Sequence, residues 1–208
     1  MDNLEFDKST NKLAIVIGIG GAGGNFLQYM YNNNKYKEAI DFYAINSDSI
    51  ALSALKIPQS NKLLIGIQGI SAQRADPEIG KQAAIESAES VISILNSDNY
   101  QFAFIVAGMG GGTGTGAGPV IAKLCKSMGI YTIAICTTPF SFEGNLKQKQ
   151  ATEGINNLKE NVDNITVVSY DDIDSSLSIA EAFRTFDRMF LDVIYKQIND
   201  YLCGNFSN

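Results

Sequence analysis

Glycine is placed along this chain in a way that limits what the chain can fold into. Of its 19 glycines, five fall within residues 18–24 and seven within residues 108–118, so two short windows hold most of them. Each cluster directly follows a run of apolar residues, Leu13–Ile17 in one case and Phe102–Ala107 in the other. A glycine run after a buried strand lets the main chain adopt positive φ and approach a ligand closely. Where a helix follows, its free amino-terminal N–H groups and positive end face the same point, an arrangement that favours a phosphate. Gly18, Gly20 and Gly23 match G-x-G-x-x-G in that context, although a sharp turn with tight strand–helix packing produces the same spacing. The second cluster, Ala107-Gly-Met-Gly-Gly-Gly-Thr-Gly-Thr-Gly-Ala117, repeats the order of strand, glycine turn and helix. Two such turns at the carboxyl ends of strands in one sheet would converge on one crevice. Thr113 and Thr115 add hydroxyls among bare amides, and the absence of G-x-x-x-x-G-K-[ST] excludes a P-loop with its phosphate lysine.

The remaining pattern supports the same architecture. Phe42–Ile45, Leu63–Ile67, Thr132–Cys136 and Ile165–Val168 read as further buried strands separated by helix-like segments. Alternating strand and helix defines an α/β chain, a Rossmann-like and mostly parallel sheet with helices on both faces. Asp76 and Pro77 read as an N-cap and first-turn proline, and Ile79, Ala83, Ala84, Ala88, Val91, Ile92 and Leu95 then predict one helix through about Asn96. The first glycine cluster leads into a helix beginning near Asn25. The second opens a helix carried by Ala117, Val120, Ile121, Leu124, Cys125 and Met128, with Pro119 placed in its first turn. From about Leu177 to Leu202 the spacing of Phe183, Phe186, Phe190, Val193, Ile194, Ile198 and Tyr201 predicts one long helix. The organisation expected is an N-terminal arm over 1–10, a nucleotide-binding domain over 11–175 and the long helix within 176–208.

Composition removes whole classes of chemistry. The chain has no histidine, which excludes Ser–His–Asp and Cys–His catalysis and every histidine-containing zinc site. Its three cysteines match neither a zinc knuckle nor a disulfide framework, and the first ten residues lack the features of a secretory signal. Reduced thiols and a cytoplasmic location are the expectation. A net charge of −6 argues against a nucleic-acid surface, and no run approaches the ~20 apolar residues of a membrane span, so neither nucleic-acid binding nor membrane insertion is expected.

These residues carry a resemblance. GGAGGN at 20–25, AINSDS at 44–49, AGMGGGTGTGAGP at 107–119, TPFSFEG at 138–144 and the Phe183/Asp187 pair resemble, in order and approximate spacing, the nucleotide-binding half of the tubulin/FtsZ GTPase family. The resemblance covers nearly all of residues 11–200. It implies GTP or GDP as ligand, with Mg²⁺ riding on the phosphates. By analogy Gly20, Gly21, Gly24 and Asn25 contact the phosphates and base side, and Gly111, Gly112, Thr113, Gly114 and Thr115 wrap the phosphates. Glu143 holds the ribose and Lys147 stands for an arginine of the family. Phe183 stacks on guanine, and Asp187, one helical turn away on the same face, accepts from its N1 and N2 groups.

Four further positions depart from the family's pattern. Ala72, Gln73 and Arg74 replace a glycine-rich turn near the γ-phosphate, and Tyr170 stands where an asparagine is common. In the family a loop beyond the long helix acts on the nucleotide of the next subunit, and here the chain ends shortly after that helix. The resemblance therefore implies a cell-division protein that hydrolyses GTP with an FtsZ-type partner subunit, either another copy or a full-length homologue. The alternative is a non-catalytic short paralogue that caps or regulates filaments. A Rossmann dehydrogenase fits the first glycine motif but leaves GGGTGTG and the Phe183/Asp187 pair unexplained.

Overall fold

The computed structural model describes residues 12–36, 38–66, 75–172 and 176–204. Six parallel strands form one sheet: β1 (Ala14–Ile19), β2 (Ile40–Asn46), β3 (Lys62–Leu64), β4 (Phe102–Gly108), β5 (Tyr131–Thr138) and β6 (Asn164–Ser169), in the spatial order β3-β2-β1-β4-β5-β6. The register of the central pair runs from Ala14 opposite Phe102 to Ile19 opposite Ala107. The chain moves outward from β1 to β3 and then crosses to β4 on the other side of β1, so the order reverses between β1 and β4. In an open parallel sheet such a reversal leaves a crevice at the carboxyl ends of the two strands, where ligands bind.

Side-chain alternation divides the interior into two layers. Val16, Phe102, Phe104, Ile133 and Ile135 face α1 (Gly20–Asn33), α2 (Ser49–Ala54) and the long α7 (Ile179–Leu202), which contribute Phe26, Leu27, Leu52, Phe190 and Ile194. Ile15, Ile17, Ile105 and Ala134 face the other layer. That layer holds α3 (Pro77–Glu86), α4 (Ala88–Leu95), α5 (Gly112–Ser127) and α6 (Asn145–Lys159). Strand β1 is buried along its whole length, which is why it reads as a continuous apolar run, whereas the edge strand β6 is only partly covered and leaves Val167 exposed.

Several boundaries differ from the sequence reading. The helix expected over 77–96 is two helices that break at Ser87, whose hydroxyl accepts the N–H of Gly66 at 3.0 Å. Serine competes with helical hydrogen bonding through its side chain, and here a distant partner decides the outcome. The expected N-cap is present: Asp76 accepts from the N–H of Glu78 at 2.9 Å. Helix α1 starts at Gly20 rather than near Asn25, and α5 starts at Gly112. Pro119 consequently stands inside α5 rather than in its first turn, and it brings no N–H for the carbonyl of Thr115. The third strand is shorter than expected, Lys62–Leu64, and the last helix begins at Ile179. The N-terminal arm, Ile67 and the turn Ala72–Arg74 lie outside the described residues.

Candidate functional site

The two glycine clusters come together at the crevice between β1 and β4. Gly20 has φ +72° and Gly110 has φ +94°, both in the left-handed region that favours glycine. A Cβ on Gly20 would stand 3.1 Å from the N of Gly114, so the first turn of α1 lies against the first turn of α5. Neither helix has a side-chain cap, and neither carries an acidic residue in its first turn. Helix starts normally recruit a Ser, Thr, Asp or Asn side chain to the orphan N–H groups. Here the amino ends of α1 and α5 leave their first N–H groups and their positive dipole ends directed at the crevice, and Gly21 and Gly111 both face open space.

This glycine half is a cavity of about 370 Å³ whose lining includes Gly20, Gly21, Gly111, Gly112, Thr113 and Gly114. Thr113 Oγ1 lies 2.7 Å from Ser47 Oγ, which ties the second glycine turn to the end of β2. Asp48 caps α2, accepting from the N–H groups of Ile50 and Ala51 at 2.9 and 3.1 Å. At the opposite wall Glu143 Oε1 accepts from the Phe140 N–H at 2.9 Å, and Glu143 Oε2 pairs with Lys147 Nζ at 2.8 Å. The Lys147 bond, with help from the Phe140 N–H, holds the Glu143 carboxyl below its ordinary range. Lys147 is the one cationic side chain among the described residues that line this half.

A second cavity of about 600 Å³ opens beside the first and is aromatic, with Phe140, Phe142, Phe183 and Phe186 in its lining. Asn25 and Asp187 supply its polar edge together with Glu143. Phe183 and Asp187 project from one face of α7 toward it, and Phe183 is 40% exposed, unusual for a ring on a helix whose next aromatic, Phe186, is 5% exposed. Burial pushes the Asp187 carboxyl up to about 6. Ala22, Gly108, Thr137, Glu143 and Tyr170 line both halves, so the two form one continuous cleft, rich in bare amides at one end and flat and apolar with a carboxylate at the other.

Most residues singled out from the sequence meet in this cleft. Gly20, Gly21, Gly111, Gly112, Thr113, Gly114, Glu143 and Lys147 line the glycine half, and Asn25, Phe183 and Asp187 line the aromatic half. Gly24 and Thr115 do not line either half. Gly24 is packed on Leu55, where a Cβ would come within 3.1 Å of Leu55 Cδ1. Thr115 is buried and its Oγ1 accepts the Gly110 N–H at 2.8 Å, a brace under the glycine turn. Sequence reasoning assigned no role to Ser47, Asp48, Thr137 or Phe140, which reach the cleft from the ends of β2 and β5. The quoted segments 44–49 and 138–144 contained all but Thr137, without showing which atoms face inward.

A parallel α/β sheet has two uncapped helix starts meeting at its switch point, beside an aromatic slot with a carboxylate. The sequence matches the tubulin/FtsZ family, GTPase domain, over residues 14–178, and the chain belongs to that family. It is 44% identical over 179 residues to the cell division protein FtsZ of Aquifex aeolicus, covering 83% of this chain and 47% of the relative. It is 39% identical over 181 residues to the FtsZ of Buchnera aphidicola subsp. Baizongia pistaciae, covering 85% of this chain and 46% of the relative. The solved structure of an empty FtsZ dimer from M. jannaschii superposes with a TM-score of 0.79 at 33% identity, covering 93% of this chain and 56% of that one. The chain thus spans about half the length of the curated relatives it matches.

Proposed function

We propose that this chain binds a guanine nucleotide across the cleft and serves as the nucleotide-binding part of an FtsZ-type cell-division GTPase. The observation that carries the reading is the pairing of two uncapped helix amino ends with an aromatic slot that presents Asp187. The amides of Gly20, Gly21 and Gly111 to Gly114 would hold the phosphates, with Lys147 as the adjacent cation. Phe183 would cover the base face. The ionised Asp187 would accept from the N1–H and N2 amino groups of guanine, a donor pair that adenine lacks.

Among the described residues the glycine half has two carboxylates, and both are engaged, Asp48 as the cap of α2 and Glu143 with Phe140 and Lys147. Attack on a γ-phosphate needs a group that orients water. That group is therefore proposed to come from a second subunit, which is consistent with the dimer formed by the M. jannaschii relative. Mg²⁺ would ride on the phosphates, since no group of three or more acidic or cysteine side chains among the described residues is placed to hold a metal by itself. A cytoplasmic setting fits the protein, and no helix among the described residues is long and apolar enough to cross a membrane.

The test is calorimetric titration with GTP, GDP and ATP in magnesium buffer, followed by a phosphate-release assay on the same sample. Guanine-selective binding is expected, with turnover that rises with subunit concentration or on addition of a full-length FtsZ. Equal affinity for ATP and GTP would sink the guanine assignment, and turnover independent of subunit concentration would sink the shared site.

A further inference from the structure

The seam between the two halves of the cleft has its own chemistry. A nucleotide with phosphates in the glycine half and its base in the aromatic half would lay its sugar near the described residues common to both, Ala22, Gly108, Thr137, Glu143 and Tyr170. Ala22 and Gly108 bring no polar side chain. Glu143 already has one carboxylate oxygen on the Phe140 N–H and the other on Lys147. Thr137 is buried, whereas Tyr170 is only partly buried. Glu143 can only accept and Thr137 is buried, so the partly buried Tyr170 hydroxyl is the side-chain donor that the seam offers to a sugar oxygen.

The ring of Tyr170 is held so that this hydroxyl has a fixed place. Its centroid lies 5.0 Å from that of Phe140, 5.2 Å from that of Phe183 at 86°, and 5.3 Å from that of Phe186. A donor fixed in advance gives up little rotamer freedom when it binds. Burial, with Asp187 and Glu143 nearby, also keeps the phenol above its ordinary range, so it stays protonated at neutral pH. We propose that Tyr170 reads the sugar, donating its hydroxyl proton to a ribose hydroxyl and so setting a preference for ribo- over deoxyribonucleotides. This role rests on the nucleotide reading above and adds to it a specificity-determining residue outside the glycine turns.

Tyr170→Phe tests it, because the ring packing is kept and one O–H is removed. GDP, 2′-deoxy-GDP and 3′-deoxy-GDP are titrated into the wild-type chain and the variant, with thermal unfolding as the control for folding. The wild type is expected to prefer GDP over at least one deoxy analogue by roughly three- to tenfold, the worth of one neutral hydrogen bond. In the variant GDP should weaken by about that factor while the affected analogue stays within about twofold, so that the ratio shrinks. Unchanged ratios for both analogues overturn the proposal, as does a parallel loss for all three ligands, which marks a purely structural role. Failure of the wild type to bind GDP, or equal affinity for GDP and ADP, overturns the guanine-nucleotide reading itself, and the proposal with it.

Discussion

Acidification through pH 6 should weaken guanine-nucleotide binding, and the effect should vanish in Asp187→Asn. Burial raises the Asp187 carboxyl from an ordinary value near 3.9 to about 6, and the proposed contacts to guanine N1–H and N2–H require the ionised form. With that value the group is ~97% ionised at pH 7.5 and ~24% ionised at pH 5.5, so affinity should fall about fourfold over that range. The phosphates of GDP titrate in the same region. The quantity to follow by calorimetry is therefore the ratio of wild-type to Asp187→Asn affinity, in which the phosphate contribution cancels. A ratio that is flat between pH 5.5 and 7.5, or that rises toward acid, refutes the reasoning. The ligand-free protein carries the opposite sign. Because the folded pKa lies above the unfolded one, the contribution of Asp187 to stability is fully present below about pH 3.9 and is lost as pH rises through about 6. Without nucleotide, Asp187→Asn should thus be no less stable than the wild type at pH 7.5.

Three other outcomes follow from the packing around the cleft. A bulky replacement of Thr113, which contacts Ser47 at 2.7 Å, should crowd the second glycine turn and lower GDP affinity tenfold or more; unchanged affinity would remove that turn from the site. Gly116→Ala would set a Cβ against the Pro77 carbonyl and 2.7 Å from the Lys81 N, so overpacking between α3 and α5 should cost about 1–3 kcal/mol in chemical denaturation, and an unaltered midpoint would contradict the close approach. Iodoacetamide at neutral pH should label Cys203 in the folded protein, whereas Cys125 and Cys136, buried and with thiols pushed up to about 12, should react only after unfolding; mass spectrometry of folded and denatured samples reads the difference.

What the sequence made legible was whatever a single element decides for itself. Strands β1 and β4 are buried on both faces, so their apolar runs announce them without reference to partners. The cap at Asp76 and the Phe183/Asp187 pair depend only on neighbours within one helical turn. The unreadable parts are those in which a distant atom casts the deciding vote. Ser87 breaks a helix because Gly66, far away in sequence, offers it an N–H. The glycines at 20–24 belong to α1 although glycine disfavours helices, since packing of the helix start against α5 outweighs propensity. Gly24 and Thr115 look from the sequence like members of the phosphate turns, yet Leu55 and the Gly110 N–H claim them for packing and bracing. Tyr170 is the converse case. As an isolated departure from the family pattern it carries no message, and it acquires one only when the end of β6 sets it beside Thr137 and three phenyl rings at the seam of the cleft. Positions where local propensity and tertiary placement disagree are therefore concentrated around this cleft, as expected where a fold gives up local consistency to present bare amides and fixed hydroxyls to a ligand.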